Sequence, residues 1–420
     1  MSELKNVKHL QCINCGKTYP MEPGRYTCDD CGPKLGILDF VYDYEYIKTK
    51  VSKEKFAANK DNSMWRYEAF MPVTEGGPRP KLRVGWSPLY KADVLGDAID
   101  LDTLYVKDDG INPTASLKDR ASAVAVARAM EEGAEVICCS STGNAASSLA
   151  GNAASVGIKS VIFVPGRAPI GKVSQLKIFG AEVMSVQGSY EETFKLSAEA
   201  IDRYGWYNRN AAINPVMVEG KKTVSLEICE QMDWEVPDWI VFSVGDGCTI
   251  AGAWKGYKDL HEAGLIDRLP KVAGIQAEGC APLAHAWERG DGEKWNPEVE
   301  NTVADSIAVG VPRNAVKALR AINESGGVWE TVSDEKILDT MRLMGKTSGV
   351  FGEPAGCAGM AGLQVLVEKG VIKKEEIVVC AVTGNGLKDV NNAIKAAGDP
   401  MKVEPTIEGL NEALKKIGYE

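Results

Sequence analysis

Histidine is scarce in this sequence of 420 residues, which has only His9, His261 and His285, and no Ser-His-Asp triad is evident. Basic residues are in deficit, since 48 Lys and Arg stand against 58 Asp and Glu, and the net charge of -10 argues against nucleic acid or an anionic membrane as a partner. Apolar runs such as "SVIFVP" span only a strand, and "MSELKNVKHLQC" lacks a signal-peptide core. These absences predict a soluble cytoplasmic protein.

Eleven cysteines are present, and in a long chain without a leader they indicate thiols or metal ligands rather than disulfides. The segments "CINC" and "CDDC" give the spacing C-x2-C-x12-C-x2-C, by which two tight turns present four thiolates tetrahedrally to zinc. The alternative is four unligated thiols. We predict a structural zinc ribbon, without an open coordination position for catalysis, at Cys12, Cys15, Cys28 and Cys31.

The length of the chain exceeds what one core accommodates, so two α/β domains are expected. Residues 33–85 are aromatic-rich, and we expect them to be irregular. From about residue 101, short β-rich runs alternate with amphipathic segments of helical length, which predicts parallel sheets covered by helices on both faces. The predicted strands are "LYVKDD", "EVICCSST", "SVIFVP", "AEVMSV", "WIVFSVG", "KVAGIQAEG" and "IVVCAVTG".

The segment "NPTASLKDRAS" places a lysine at the start of a predicted helix. Asn-Pro indicates a loop on its left, while the apolar stripe of "LKDRASAVAVARAMEEG" indicates a helix with Ser116 as its N-cap and Gly133 as its stop. Lys118 then lies in the first turn, where the helix dipole disfavours a cation. Either Lys118 is a solvated side chain beside Asp119, or it is a reactive amine kept for chemistry.

Three predicted strands end in loops rich in glycine and hydroxyl side chains, "SSTGNAAS", "VGDGCTIAG" and "VTGNGLKD". Ligands bind at the carboxyl ends of strands in doubly wound sheets, and such loops let backbone amides approach an anion at a helix N-terminus. "GDGCT" matches neither the Walker motif nor the dinucleotide fingerprint, which indicates a smaller phosphorylated cofactor. Pyridoxal phosphate needs an amine for its aldehyde, backbone donors for its phosphate and a polar partner for its ring nitrogen.

These four segments occur in the order and approximate spacing of fold-type II pyridoxal-phosphate enzymes, and over about residues 85–395 they most resemble the threonine synthase family. The resemblance implies an α/β fold of two doubly wound domains, of the tryptophan synthase beta-like class, in addition to the zinc ribbon. It also implies a homodimer. The expected division is a zinc ribbon at 1–35, an irregular extension at 36–85, a large cofactor-binding domain at 86–118 and 209–400, a small α/β domain at 119–208 and a C-terminal helix at 401–420.

The resemblance further implies roles for individual residues. Lys118 would bind the cofactor covalently and then transfer protons as general acid and base. Asn144 would bond the ring oxygen of the cofactor, and Thr383 would face its pyridine nitrogen, where a neutral hydroxyl suits elimination and replacement chemistry. The cofactor phosphate would lie on Gly245, Asp246, Gly247, Cys248 and Thr249, and the substrate carboxylate on Ser141, Thr142 and Gly143.

The sequence departs from the family pattern where the phosphate of O-phospho-L-homoserine would bind. The family segment Asn-Ser-x-Asn-Pro-x-Arg-x-Glu-Gly reads "NAAINPVMVEG" here, so that Met217 replaces the arginine and two alanines, Ala211 and Ala212, replace Asn and Ser. Ala145 also replaces a threonine, and Asp246 an asparagine. Each change removes a donor or adds negative charge around a buried phosphate, which is unfavourable.

Two interpretations of the substrate follow. In the first, Lys221, Lys222 or Arg120 supplies the missing positive charge; in the second, the substrate has no phosphate and Met217 with the alanines lines a more apolar pocket. We predict a pyridoxal-phosphate-dependent carbon-oxygen lyase or synthase that converts O-phospho-L-homoserine and water to L-threonine and phosphate. The alternatives are a threonine or serine ammonia-lyase, a β-replacement enzyme acting on a non-phosphorylated amino acid, and a non-catalytic or partner-dependent subunit.

Overall fold

The computed structural model describes residues 4–168, 170–211 and 213–419. No helix in these ranges is both long and apolar enough to cross a membrane. Their strands are β1 Val7–Cys12, β2 Thr18–Tyr19, β3 Leu38–Tyr42, β4 Leu89–Lys91, β5 Thr103–Asp108, β6 Val136–Ser140, β7 Lys159–Pro165, β8 Glu182–Val186, β9 Tyr207–Asn208, β10 Trp239–Ser243, β11 Lys271–Ala277, β12 Val328–Val332 and β13 Ile377–Val382.

Helices alternate with strands along most of the chain, as the sequence pattern predicts. Short 3-10 turns lie at Met64–Phe70, Asp109–Ile111, Asp305–Ile307 and Gly386–Asp389. The α-helices are α1 Gly32–Leu35, α2 Tyr44–Lys50, α3 Lys53–Ala58, α4 Asp93–Ala98, α5 Lys118–Glu131, α6 Asn144–Ala154, α7 Ile170–Ile178, α8 Tyr190–Tyr204, α9 Val216–Lys221, α10 Thr223–Gln231, α11 Cys248–Glu262, α12 Pro282–Glu288, α13 Ala315–Ser325, α14 Asp334–Ser348, α15 Pro354–Glu368, α16 Val390–Ala397 and α17 Ile407–Lys416.

The large sheet has the order β12-β11-β10-β13-β5-β4, and all its neighbours are parallel except β4, which joins the edge antiparallel to β5. Successive side chains of a strand point to opposite faces. On β10, Ile240 and Phe242 pack into one hydrophobic cluster and Trp239 and Val241 into another. Since α13 contacts β11 and α15 contacts β10 and β13, helices cover both faces of this sheet.

The small sheet has the order β8-β7-β6-β9 and is entirely parallel. Ile137 and Cys139 of β6 join the main core, while Cys138 between them packs in a separate cluster with Phe163 and Ile201. α6 and α8 both contact β6 and β7. The predicted α/β class with two parallel sheets is confirmed.

An antiparallel sheet, β2-β1-β3, contains the cysteine-rich N-terminus. β3 forms because "LDFVY" alternates in hydrophobicity, so that Leu38, Phe40 and Tyr42 are buried. The side chains of Asp43 and Ser52 then cap α2 and α3. The structure therefore corrects the expectation of an irregular extension at 36–85, since its first residues complete the N-terminal sheet and two helices follow.

The four strands of the small sheet come from residues 136–208, and the large sheet takes its strands from both flanking segments. The proposed small domain at 119–208 and large domain at 86–118 and 209–400 are compatible with this division and stay predictions, because strand membership alone does not define a domain. α17 lies within the predicted C-terminal segment 401–420.

Candidate active site between the parallel sheets

Lys118 is the first residue of α5. The cap position is Leu117 rather than the predicted Ser116, and no side chain caps the helix there; Ser116 still contributes, because its Oγ accepts from the backbone N–H of Lys118 at 3.3 Å. The helix ends close to the predicted stop, and Gly133 follows it with φ +71°. The backbone N–H groups of Leu117, Lys118 and Asp119 thus have partners within the protein, and α5 contributes to the site through the side chain of Lys118.

The lysine loop is attached to the loop that follows β13. The backbone N–H of Leu117 donates to the carbonyl of Thr383 at 2.8 Å, and the N–H of Asn385 donates to the carbonyl of Ala115 at 3.1 Å. Gly384 lies between these two bonds, and a Cβ there would collide with the carboxylate of Glu353. These contacts place Lys118 and Thr383, which are far apart in the sequence, on one cavity.

The environment of Lys118 excludes a solvated surface lysine paired with Asp119. Burial lowers the pKa of the Lys118 amine to about 8, and the positive charge of Lys221 lowers it further while Glu353 opposes the change. Asp119 is used elsewhere, because its oxygens accept from the backbone N–H and hydroxyl of Thr114 and from the amide of Asn152. The second interpretation, an amine kept for chemistry, is the one compatible with these contacts.

A cavity of about 550 Å³ lies between the carboxyl ends of the two parallel sheets and is lined by Lys118. The loops after β6, β10 and β13 converge on it, because the carboxyl ends of parallel strands meet at the same edge of a sheet. The structure brings together every residue predicted for cofactor and substrate binding: Lys118, Ser141, Thr142, Gly143, Asn144, Gly245, Asp246, Gly247, Cys248, Thr249 and Thr383.

The glycine-rich loop at 245–249 connects β10 to α11. Gly247 has φ +87°, and a Cβ there would lie 2.8 Å from that of Ala318; a Cβ at Gly245 would lie 2.9 Å from the Cα of Ile307. Side chains at either position would disrupt the loop. The loop ends at the N-terminus of the 15-residue α11, whose dipole favours an anion.

Glu353 is a cavity residue that the sequence analysis missed. Its Oε1 accepts from the side-chain amide of Asn144 at 2.7 Å, and the residue is 4% exposed. Burial raises the pKa of Glu353, although the bond from Asn144 and the charge of Lys118 oppose this. The sequence did contain a signal for this residue. Glu353 is an acidic residue directly before Pro354, the first residue of α15, and it lies in a segment that also contains glycines.

Of the three cations considered as replacements for the missing arginine, only Lys221 lines the cavity. The guanidinium of Arg120 is fully buried and donates to Asp109 at 2.7 Å and to Glu227 at 2.6 Å. Lys222 is also buried, and its ammonium pairs with the carboxylates of Glu219 and Asp259. Arg120 and Lys222 are thus occupied within the protein.

The apolar lining expected from Met217 is not found. Met217 is fully buried on α9, which packs against α5, and does not line the cavity. Ala145 and Ala211 do line it, whereas Ala212 lies outside the described residues. The cavity instead carries further cations, Arg209 on one wall and Arg313 on another.

The four N-terminal cysteines form a cluster. The Sγ atoms of Cys12, Cys15, Cys28 and Cys31 all lie within 4.8 Å of one another. Gly16 and Gly32 adopt φ +75° and +67° directly after each pair, which permits the two tight turns. The arrangement matches the four-thiolate geometry expected of a structural metal site, away from the cavity.

The cysteine-rich sheet is anchored on the helices that follow the glycine-rich loop. Arg320 of α13 donates from Nη1 to the carbonyl of Ile13 at 2.7 Å. Lys317 of the same helix and Lys255 of α11 pair with Asp39 at 3.2 and 2.7 Å. The N-terminal sheet therefore supports the two helices that flank the candidate phosphate loop.

Known proteins resemble this chain over most of its length. The family described as "Pyridoxal-phosphate dependent enzyme" matches residues 81–384. The threonine synthase of Methanocaldococcus jannaschii is 40% identical over 408 residues, which cover 97% of this chain and 99% of that protein. The threonine synthase of Methanosarcina acetivorans is 40% identical over 407 residues, which cover 97% of this chain and 98% of that protein.

Solved structures show the same fold at lower identity. A diaminopropionate ammonia lyase from Escherichia coli covers 94% of this chain and 98% of its own, with a TM-score of 0.63 and 16% identity. Threonine deaminase isoform 2 from Solanum lycopersicum covers 74% of this chain and 86% of its own, with a TM-score of 0.62 and 21% identity. The predicted fold-type II architecture is confirmed, and the chain belongs to the threonine synthase family of pyridoxal-phosphate-dependent enzymes.

Proposed function

We propose that this protein converts O-phospho-L-homoserine and water to L-threonine and phosphate, the reaction implied by its resemblance to threonine synthases. The observation that carries the proposal is a half-buried amine, Lys118, whose lowered pKa places it near neutrality and which shares one cavity with a glycine-rich loop at a helix N-terminus. The cavity could therefore bind a phosphate group on the glycine-rich loop while the amine of Lys118 reacts with the same ligand.

The residues of the cavity suit pyridoxal phosphate. Lys118 offers an amine for the aldehyde, Thr383 offers a hydroxyl for the ring nitrogen, and the loop at 245–249 offers backbone donors for the phosphate. Lys221 is 2% exposed and has neither a carboxylate nor a hydrogen-bond partner in the part of the chain that the structure describes. Because a buried ammonium without an anion is unfavourable, we assign the cofactor phosphate as its partner.

The cofactor, when bound, would stabilise negative charge on the substrate carbon next to the amino group. Lys118 would remove a proton from that carbon with its Nζ and return protons later, which an amine with a pKa near 8 can do in both directions. Thr383 would offer a neutral hydroxyl to the ring nitrogen. A carboxylate in its place would stabilise a full positive charge on that nitrogen. These roles favour elimination and replacement over transamination.

The loop before α6 would bind the substrate carboxylate. Ser141 and Thr142 offer hydroxyls, and Gly143 occupies the cap position of the helix, where backbone N–H groups and the helix dipole favour an anion. Asn144, the first residue of α6, would contact the cofactor ring. Glu353 would position the Asn144 amide through their 2.7 Å hydrogen bond.

A substrate panel on the purified protein tests the proposed function. We expect stoichiometric release of inorganic phosphate and formation of L-threonine from O-phospho-L-homoserine. Release of ammonia and a keto acid from L-threonine or L-serine, without turnover of the phosphorylated substrate, would favour the ammonia-lyase alternative. An inert protein that gains activity only with a second chain would favour the partner-dependent alternative.

The pKa of Lys118 predicts how the cofactor-free protein reacts with pyridoxal phosphate. The neutral amine attacks the aldehyde, so the rate at which yellow absorbance develops should rise with pH through a midpoint near 8, instead of the ordinary lysine value of 10.5. Replacing Lys221 with glutamine should move this midpoint upwards, because the charge of Lys221 contributes to the lowering. Stopped-flow absorbance between about pH 6 and pH 10 measures it, and a midpoint above about 10 would contradict the assignment.

We also propose that the four-cysteine cluster binds one zinc ion that stabilises the N-terminal sheet. Plasma emission spectrometry should find one zinc per chain in the wild type and in the control Cys280→Ser, whose cysteine lies outside the cluster. Cys28→Ser should lose the zinc and lower the midpoint of thermal unfolding, since Cys28 is a buried member of the cluster. A protein that contains no metal and is unaffected by Cys28→Ser would contradict this proposal.

A further inference from the structure

Eight lysine and arginine side chains are buried within the described ranges. Burying a charge is unfavourable unless an opposite charge compensates it. Six of the eight have a carboxylate within 4.0 Å, namely Arg66, Lys107, Arg120, Arg128, Lys222 and Lys317. The two without one, Arg209 and Lys221, both line the cavity. This contrast marks the cavity as a place where two anions from outside the chain are expected.

Lys221 lies on the side of the cavity that the glycine-rich loop forms. Burial raises the pKa of the Cys248 thiol, and the charge of Lys221 is the largest influence that opposes this; a Cβ at Gly252 of α11 would lie 3.2 Å from the Cβ of Lys221. A cofactor phosphate bound at this loop would therefore neutralise the charge of Lys221. Arg209 comes from a different element, directly after β9 of the small sheet, and its backbone N–H donates to the carbonyl of Cys138 at 2.9 Å.

The side chain of Arg209 is 1% exposed and has only a neutral partner among the described residues. Its Nε and Nη2 both donate to the hydroxyl of Ser122, at 3.0 and 2.9 Å. Ser122 lies about one turn after Lys118 on α5. A hydroxyl cannot neutralise a guanidinium, so the remaining N–H groups of Arg209 are available for an anion in the cavity beside Lys118.

Two further polar atoms on the same wall have no partner in the described structure. They are the side-chain Nδ2 of Asn210 and the Oγ of Ser140, both buried. The Oδ1 of Asn210 accepts from the backbone N–H of Ser140 at 2.9 Å, which keeps the two side chains adjacent. Arg209, Asn210 and Ser140 all line the cavity, and together they offer several donors without a carboxylate.

We propose that Arg209, with Asn210 and Ser140, forms a second anion subsite that binds the phosphoryl group of the substrate. This inference rests on the proposed function, because that group is the leaving group of the proposed reaction. Arg209 would replace the positive charge lost where Met217 stands in place of arginine. A guanidinium suits this role because it binds phosphate through two parallel hydrogen bonds, and its charge offsets that of the departing phosphate.

The test compares variants of the two unpaired cations in the cofactor-loaded protein. Arg209→Gln should raise KM for O-phospho-L-homoserine and the inhibition constant of inorganic phosphate by about 10- to 100-fold, the effect of losing charge-assisted hydrogen bonds. The dissociation constant of pyridoxal phosphate and the spectral titration with L-threonine, which carries no phosphate, should stay within about twofold. The matched control Lys221→Gln should instead weaken pyridoxal phosphate binding.

A second variant avoids removal of the guanidinium. Asn210→Asp keeps the oxygen that accepts from Ser140 but replaces the unpaired donor with an acceptor that carries negative charge. It should weaken binding of inorganic phosphate and of the phosphorylated substrate, with L-threonine binding unchanged. The absorbance of the bound cofactor and the circular dichroism spectrum report whether each variant is folded.

Three results would overturn the subsite. Equal weakening of L-threonine and of the phosphorylated substrate in Arg209→Gln would show that Arg209 binds the carboxylate. Weakening of pyridoxal phosphate alone would show that it binds the cofactor. Absence of inorganic phosphate binding to the wild-type protein would also contradict it. If the wild type does not turn over O-phospho-L-homoserine but binds inorganic phosphate in a manner lost in Arg209→Gln, the proposed function fails and the anion subsite is supported.

Discussion

Replacement of Lys118 with alanine is expected to abolish the yellow absorbance of the lysine-bound cofactor and to reduce kcat by at least about 1,000-fold. The reduction follows from the proposed roles of this amine, which would bind the cofactor and transfer protons, since general acid-base catalysis alone contributes about 100- to 10,000-fold. The absorbance spectrum of the purified variant and the rate of phosphate release measure the two effects.

A matched control for this variant is Lys388→Ala. Lys388 also lies near the cavity, but its ammonium donates to Ser147 and to Gln175 at 3.1 and 3.0 Å. We expect this variant to retain the yellow absorbance. Retained turnover in Lys118→Ala would contradict the assignment of Lys118, and loss of absorbance in Lys388→Ala alone would transfer the role to that residue.

Replacement of Arg120 with methionine is expected to destabilise the protein by about 3–5 kcal/mol, the effect of breaking a buried ion pair. Arg120 donates to Asp109 and Glu227, and Lys107 donates to Glu227 at 2.8 Å; all four side chains are fully buried. Without Arg120, two carboxylates share one remaining ammonium. The midpoint of urea unfolding, followed by tryptophan fluorescence, measures the loss.

The control is Arg289→Met, which removes an exposed arginine paired with Asp291 at 2.7 Å. Exposed pairs contribute about 0–1 kcal/mol, so the unfolding midpoint should change little. Equal effects of the two substitutions would contradict the structural role of Arg120. Arg120 would then again be a candidate to bind the substrate.

The same network predicts a pH dependence of stability. Although burial opposes ionisation of Glu227, Arg120 and Lys107 lower its pKa to about 2, below its ordinary value of 4.5. A carboxyl group with a lowered pKa in the folded state stabilises that state above 4.5, and this contribution is lost as pH falls from 4.5 towards 2. The loss should be smaller in Arg120→Met, because the pKa of Glu227 is then closer to its ordinary value.

Local patterns were sufficient to predict most strands of the two parallel sheets. The run "WIVFS" is apolar at every position because both faces of β10 are covered, and such a run is recognisable without knowledge of its neighbours. The strand β12, "VWETV", was missed because it lies at the sheet edge and is only partly buried. The N-terminal strand β3 was missed because aromatic residues in a short alternating run were interpreted as irregular.

The predicted site residues converge because each follows a strand of a parallel sheet, and the carboxyl ends of such strands share one edge. Glu353 does not follow a strand; it lies at the start of α15 and reaches the cavity through its bond to Asn144. Its role depends on a contact between distant segments. No local pattern predicts such a contact.

The sequence by itself determined the α/β class, the family and the four-cysteine cluster, and it predicted Lys118 as the reactive lysine, because each of these depends on the order and spacing of residues along the chain. Only the tertiary structure decided which cations are available to a ligand. Lys221 and Lys222 are neighbours in the sequence, yet Lys222 faces Glu219 and Asp259 while Lys221 faces the cavity. Whether a buried charge is compensated depends on the side chains that folding brings around it, and residues remote in the sequence supply those side chains.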